Sequence, residues 1–432
     1  MPSMPKLEKT SESPYPERPA MLRRTALSLL LGLPWTPRVF GLDWPQWRGP
    51  TRDNRWFEKG LPDRLPAQLS PRWKRPIGGG YGGIAVQAGR VYVQDRQKEP
   101  REVERLVCLD AQTGKMLWEH AYPVTYGKLD YGNGPRATPT LHAGRVYCLG
   151  ALGHLHCLDA QTGKVIWQRD TVKEFRGRVP TWGHACSPLV DGPRLVVQVG
   201  GQPDACLVAL DLDTGKEVWR SLTDRPGYAS PTIIDTGKWR QLVYFTPQHV
   251  VGLEPATGKL LWQEPFEGIT YDVSISDVVM ADGVLLASNY WSGSKAIVLD
   301  DQGRNPRVAW EGNQLSLLMS TPLVQGEYFY ALDRFRGLKC LHARTGKVLW
   351  EGQHVTPRDR NPQASLVWVS DTRALILNTP GELLLVDLTP RGLTHRGKAR
   401  IVGKTWAHPA FAAGCVFARN DEEIVCVPLV AA

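Results

Sequence analysis

Eight residues combine reactive or recognition-competent side chains with a recurring sequence context: Arg136, Trp182, His184, Tyr228, Tyr271, Asp272, Trp406 and His408. They lie in "GPRATP", "WGHACSP", "GYASP", "YDVSIS" and "WAHPAF", short stretches that each lead into an apolar run; "LLMSTP" and "PQASLV" hold equivalent places. An arginine can pair with a carboxylate or phosphate. Trp and Tyr can stack on sugars or aromatic ligands. The two histidines are too few for a metal site, and none is expected. Asp272 has no second carboxylate to share glycoside chemistry with. No serine elbow and no phosphate loop occurs. The glycines of "GGGYGG" (78–83) lack the following helix that a phosphate cradle needs. These residues therefore suit ligand binding, and no catalytic residue is assigned.

The elements that must position them repeat. "LDAQTGKMLW" ends at Trp118 and "LDAQTGKVIW" at Trp167; "LDLDTGKEVW", "LEPATGKLLW" and "LHARTGKVLW" end at Trp219, Trp262 and Trp350. An apolar run, a turn cluster and a second apolar run signal a β-hairpin. Gly114, Gly163, Gly215, Gly258 and Gly346 supply the positive φ of the turn. Asp110 and Asp159 can accept the turn's backbone N–H groups. A tryptophan at a fixed offset needs a recurrent place to dock. The upstream half of each unit carries two more short strands, and a divergent copy ends at Trp310 with its turn enlarged to "DDQGRNPR".

Four short strands per unit, with tryptophans 40–52 residues apart, predict an all-β, eight-bladed β-propeller of four-stranded antiparallel blades. The expected blades are 83–118, 138–167, 187–219, 230–262, 276–310, 320–350, 363–401 and 407–429. The last has three strands. "SPRWKRPIG", from Ser70, carries a tryptophan without preceding strands and is expected to complete that blade, closing the ring. In this architecture the eight residues rim one mouth of the central channel, each from the lead of an innermost strand.

The chain has 432 residues and a formal net charge of +9, without a dense basic run, so no nucleic-acid partner is expected. Residues 1–41 read as an extension followed by an export signal: Arg23 and Arg24, an apolar stretch from Ala26 to Leu33, and small residues near Gly41. The pair of arginines allows a twin-arginine route as well as the general one. Residues 42–69 form a lead segment and 70–432 the propeller. The expectation is an exported, periplasmic, monomeric protein without a transmembrane segment; no cysteine follows the apolar stretch where a lipoprotein would be acylated. Hairpin turns were expected to set Cys148 opposite Cys157 and Cys415 opposite Cys426. Cys108, Cys157, Cys340 and Cys426 share one strand slot, which favours small apolar fillers and free thiols over bridges.

The repeat "LDxxTGKxxW" on a four-stranded blade resembles the pyrroloquinoline-quinone (PQQ) repeat shared by quinoprotein dehydrogenases and BamB-type scaffold propellers. "DWPQWRGPTRD" (43–53) and "YGNGPRATPT" (131–140) resemble an exported subgroup of these. The resemblance covers nearly all of the chain after residue 41. It implies a scaffold or binding module with a cell-envelope protein or polymer as partner, or, as rivals, a PQQ- and calcium-dependent dehydrogenase or a carbohydrate-binding propeller. Quinoprotein alcohol dehydrogenases carry an adjacent cysteine pair against the quinone. The eight cysteines here include no adjacent pair and no Cys-x-x-Cys-His haem site, so no cofactor is expected.

Overall fold

The computed structural model describes residues 43–430, except 128 and 269–271. The export-signal stretch and Tyr271 lie outside the described residues. Within them are eight antiparallel sheets of four strands. The first blade shows the plan: Ile84–Gln87 innermost, then Arg90–Gln97, Val103–Asp110 and Met116–Pro123 outward. The inner three strands are buried along nearly their whole length because both faces are covered by neighbouring blades. The fourth alternates exposed and covered residues, as an edge strand should.

Each repeated turn folds for the reason its letters suggest. Asp110 Oδ1 accepts the N–H of Gln112 and Thr113 and the Thr113 hydroxyl, at 3.1, 2.8 and 2.8 Å. Asp159 and Asp211 repeat the pattern. The turn glycine is also a seat. The Trp118 indole of blade one lies on Gly163 of blade two, where an added Cβ would come within 2.5 Å of the ring. Its Nε1 donates to Ala160 O at 3.2 Å. Trp73 sits likewise on Gly114, Trp167 on Gly215, Trp219 on Gly258 and Trp310 on Gly346. Each indole buries on the order of 200 Å², about 5 kcal/mol of apolar transfer at roughly 25 cal/mol per Å².

Three seams depart from this rule. Between blades six and seven Trp350 donates to Thr389 O at 2.9 Å but does not reach Gly392, whose Cβ position is open. The turn glycine of blade five, Gly303, is covered by Trp239; Trp262 donates instead to Gln241 Oε1 at 2.7 Å, and Gln241 Nε2 donates on to Gly303 O at 2.6 Å. Blade seven has no such tryptophan. Its register slips between Leu384 and Val386, leaving Arg396 and Gly397 as a bulge. Leu65 from the lead segment fills the gap, its N–H donating to Arg396 O at 2.8 Å, and a Cβ on Gly397 would meet Leu65 O at 2.3 Å.

The ring closes as expected. Trp73–Pro76 pairs with Glu423–Pro428 as the outermost strand of blade eight, with Trp73 opposite Cys426. Cys108, Cys157, Cys340 and Cys426 each lie between an aromatic on the second strand and a tryptophan on the fourth, as in Tyr92–Cys108–Trp118. A small side chain is what fits beneath the indole. The cysteine pairings differ from the expected ones. Cys148 faces His156 while Cys157 faces Tyr147; Cys426 faces Phe417 while Cys415 faces Pro428. The register is one residue off for the first pair, which puts its side chains on opposite faces, and two off for the second, which leaves them diagonal on one face. All eight thiols are free and buried.

Candidate functional site

The channel has two ends, and different parts of the chain fill them. The lower end, where the innermost strands finish, receives the lead segment. Trp44 makes a two-way backbone bridge with Val86 of blade one, at 2.9 and 2.8 Å. Pro45 O accepts Leu141 N–H of blade two, at 2.8 Å. Arg52 donates to Pro188 O of blade three at 3.1 Å and Pro231 O of blade four at 3.4 Å. Trp47 Nε1 donates to Asp277 of blade five at 2.6 Å, and Arg55 to Val324 O of blade six at 3.1 Å. Trp56 N–H donates to Trp368 O of blade seven at 2.8 Å, and its ring lies 5.2 Å from Phe411 of blade eight. One segment of thirteen residues, 44–56, thus touches all eight blades.

Asp277 is the knot of this plug. Oδ2 accepts Trp47 and faces Arg48 at 3.5 Å; Oδ1 accepts Ser230 N–H at 2.7 Å. Burial lowers the Arg48 and Arg52 pKa values, Arg52 to about 10, and Asp277 opposes both shifts. Arg48, Gly49, Arg52 and Asn54 all adopt positive φ, a tight coil that holds its shape because the surrounding blades over-determine it. The space left beside it, lined by Trp47, Asn54, Ser320, Gln363 and His408, is about 10 Å³, room for about one water.

The upper end is closed by side chains from five leads. Tyr131 lies against Trp406 (5.5 Å between centroids) and Trp182 (6.4 Å). Trp182 packs on Tyr228 at 5.1 Å, and Trp406 on Tyr81 at 6.0 Å. Arg136 stacks on Tyr81 at 4.9 Å and gives its donors to the carbonyls of Gly134, Gly132 and Asp130, at 2.7, 2.7 and 3.2 Å. Asp272 pairs with the exposed Arg225 at 2.9 Å. The indole N–H groups of Trp182 and Trp406 are buried without a partner.

The expected mouth is therefore partly assembled. Arg136, Trp182, Tyr228 and Trp406 converge, and Asp272 stands on their rim. His184 and His408 do not reach it. His184 is fully buried against blade two, its backbone N–H on Ala151 O, with both ring nitrogens unpartnered. His408 sits below, 4.8 Å from Trp47 of the plug. Burial depresses both imidazoles to about 4. Sequence reasoning missed Tyr81 and Tyr131 in this cluster. Their signal was a tyrosine inside a glycine run, in "GGGYGG" and "DYGNG". It missed the plug as well, whose mark was two buried-type tryptophans among arginines.

Known proteins place this architecture. Residues 104–352 match the family model described as outer membrane protein assembly factor BamB. A relative of that description from Shewanella oneidensis is 22% identical over 237 residues, 50% of this chain and 56% of the relative, so the match spans little more than half the relative's length. Among solved structures, BamB from Moraxella catarrhalis superposes with a TM-score of 0.57 at 16% identity, covering 83% of this chain and 99% of that one. A quinohemoprotein alcohol dehydrogenase from Comamonas testosteroni gives 0.62 at 14%, covering 90% and 81%. A europium-containing methanol dehydrogenase gives 0.62 at 13%, covering 88% and 90%. Identities this low speak to fold alone. With the repeat, the eight blades and the matched span taken together, this chain belongs to the BamB-like family of PQQ-repeat β-propellers.

Proposed function

We infer that the protein is an exported binding or scaffold module of the cell envelope that presents its upper rim to a partner and carries no catalytic chemistry of its own. The observation that carries this reading is the contrast in exposure between the two ends. The lower end is occupied by the chain itself, whereas the upper end exposes Tyr131 at 50%, Trp291 at 42% and Phe335 at 64%. Arg334 lies against both Tyr290 and Phe335, extending the aromatic rim across blades five and six. Arginine and large aromatics are the side chains enriched at interface centres. Export rests on the signal-like stretch before residue 42 and on the envelope role in the relative's name. Among the described residues no helix is long and apolar enough to cross a membrane.

The rival reading needs a quinone with calcium, and the residues here do not fit that pair. Calcium takes six to eight oxygen ligands, yet among the described residues no three acidic, His or Cys side chains are grouped to hold a metal ion. Asp277, the carboxylate buried against the plug, is already taken by Trp47, Arg48 and Ser230. Photo-crosslinkers at Tyr131 and Phe335, against controls at Lys164 and Lys216 on the lower face, test the scaffold reading in intact envelopes. Adducts from the upper positions alone are the expected result. Equal labelling of both faces, or substrate-dependent dye reduction by protein loaded with PQQ and calcium, would overturn it.

A further inference from the structure

We propose that the upper mouth is a binding site for a carbohydrate chain, with the Tyr131 ring as the stand-in for a sugar ring between Trp182 and Trp406. The proposal deepens the reading above and rests on its choice of the upper rim as the binding face.

Three observations define the ligand. First, the floor is aromatic and built from separate blades: Trp182 packs on Tyr228 and Trp406 on Tyr81, with Tyr131 between the two pairs. Such faces stack on the C–H faces of pyranose rings as they do on other rings. Second, the two indole N–H groups have no acceptor. Buried donors without partners are rare and costly, about 1–3 kcal/mol each. A ligand carrying hydroxyl oxygens supplies both acceptors; a plain aromatic or aliphatic ligand supplies neither. Third, Arg225 and Asp272 neutralise each other, while Arg136 gives three N–H donors to backbone carbonyls and keeps its positive charge. A lone positive charge beside the rings disfavours ammonium ligands and accommodates neutral or acidic ones. Stacking faces and unpaired donors together describe a polyhydroxylated ring.

Tyr131 is placed to yield. It is half exposed, has φ +64°, and is followed by Gly132 and Gly134, both at positive φ. A tyrosine in that backbone region is held against its own preference; Arg136 grips the carbonyls of Asp130, Gly132 and Gly134 on either side, so the ring yields by side-chain rotation while the backbone stays. Tyr131 is tied to the opposite rim by Asn361 Nδ2, which donates to its hydroxyl at 3.0 Å.

The test uses the protein from residue 42 onward and a panel of neutral hexasaccharides: β-glucan, α-glucan, mannan and chitin series. Hexagalacturonate is the anionic comparator. Titration is followed by calorimetry and tryptophan fluorescence. The expected result is saturable binding of at least one series, with a fluorescence change. Trp182→Ala and Trp406→Ala should each weaken it by about tenfold or more, as loss of a stacking ring does. Tyr131→Ala should bind as tightly as the parent or tighter. An unchanged unfolding midpoint in Tyr131→Ala keeps that comparison valid even where a tryptophan variant is unstable. No binding of any series by either the parent or Tyr131→Ala, or binding indifferent to both tryptophans, would overturn the proposal. Upper-rim crosslinks to a protein with no sugar bound would sink this inference alone. Sugar binding without upper-rim crosslinks to any partner would sink the scaffold role alone.

Discussion

The two ends of the channel are closed by opposite means. Below, one continuous segment ties itself to every blade through backbone hydrogen bonds, two buried arginines and a shared carboxylate. Above, five separate loops each contribute a ring or a guanidinium, and two donors stay unanswered. The plug is not fully satisfied either: Arg48 Nε, Arg52 Nε, Asn54 Oδ1 and Trp56 Nε1 are buried without a partner. What separates the ends is continuity, a single segment bound to every blade below and separate side chains from separate loops above.

That contrast can be broken from below first. Asp277→Ala strands Arg48 without its counter-charge and should cost about 3–5 kcal/mol, read as a shift of the denaturant midpoint. Trp56→Ala, at a fully buried position, should cost a similar amount, about 3–5 kcal/mol. Trp406→Ala at the upper end deletes the same side chain from a partly buried site and should cost well under half as much. Equal costs for the two tryptophans would erase the distinction between the ends.

Acid should act next, and through the buried histidines. His184 and His408 are depressed to about 4 and His156 to about 3, each chiefly by burial. Groups with folded pKa values below the unfolded value of about 6.5 bind protons more readily when unfolded. Their contribution is whole above about pH 6.5 and is lost as pH falls toward 4. The unfolding midpoint should therefore decline through that window, and His408→Leu beside the plug should flatten the decline. A midpoint constant from pH 7 to 4 would show that these imidazoles are not sequestered. The smallest effect belongs to Tyr131→Ala, under about 1 kcal/mol, since an exposed side chain is lost.

What could be read in advance follows the same division. The turn Asp110-to-Gly114 and the docking tryptophan are local chemistry repeated, so the blades, their number and the closing strand at Trp73 were legible. The leads of the innermost strands followed from the blade plan, and Arg136, Trp182, Tyr228 and Trp406 do meet. The depth of His184 and His408 was not legible, because period-two alternation gives a face and not a height along the axis. The plug was hidden for a different reason. Trp44, Arg52 and Trp56 find partners more than a hundred residues away, and nothing in an eleven-residue motif announces which strands will surround it. Leu65 filling the seventh seam is the same case: the missing tryptophan of blade seven was visible, its substitute was not.

The closing strand and the plug share one further property. Both precede every blade in the chain, while Trp73 pairs with Cys426 and Trp56 packs on Phe411. A ribosome or a secretion pore that delivers the chain N-terminus first hands over the cork and the clasp at the start and their sockets at the end. Contacts of such sequence separation form late and slowly. Until the final strands emerge, the early ones have no ring to join, so the polypeptide stays open enough to be threaded. The order of residues along the chain thus acts as a timer, delaying the locked state until the last strand has arrived.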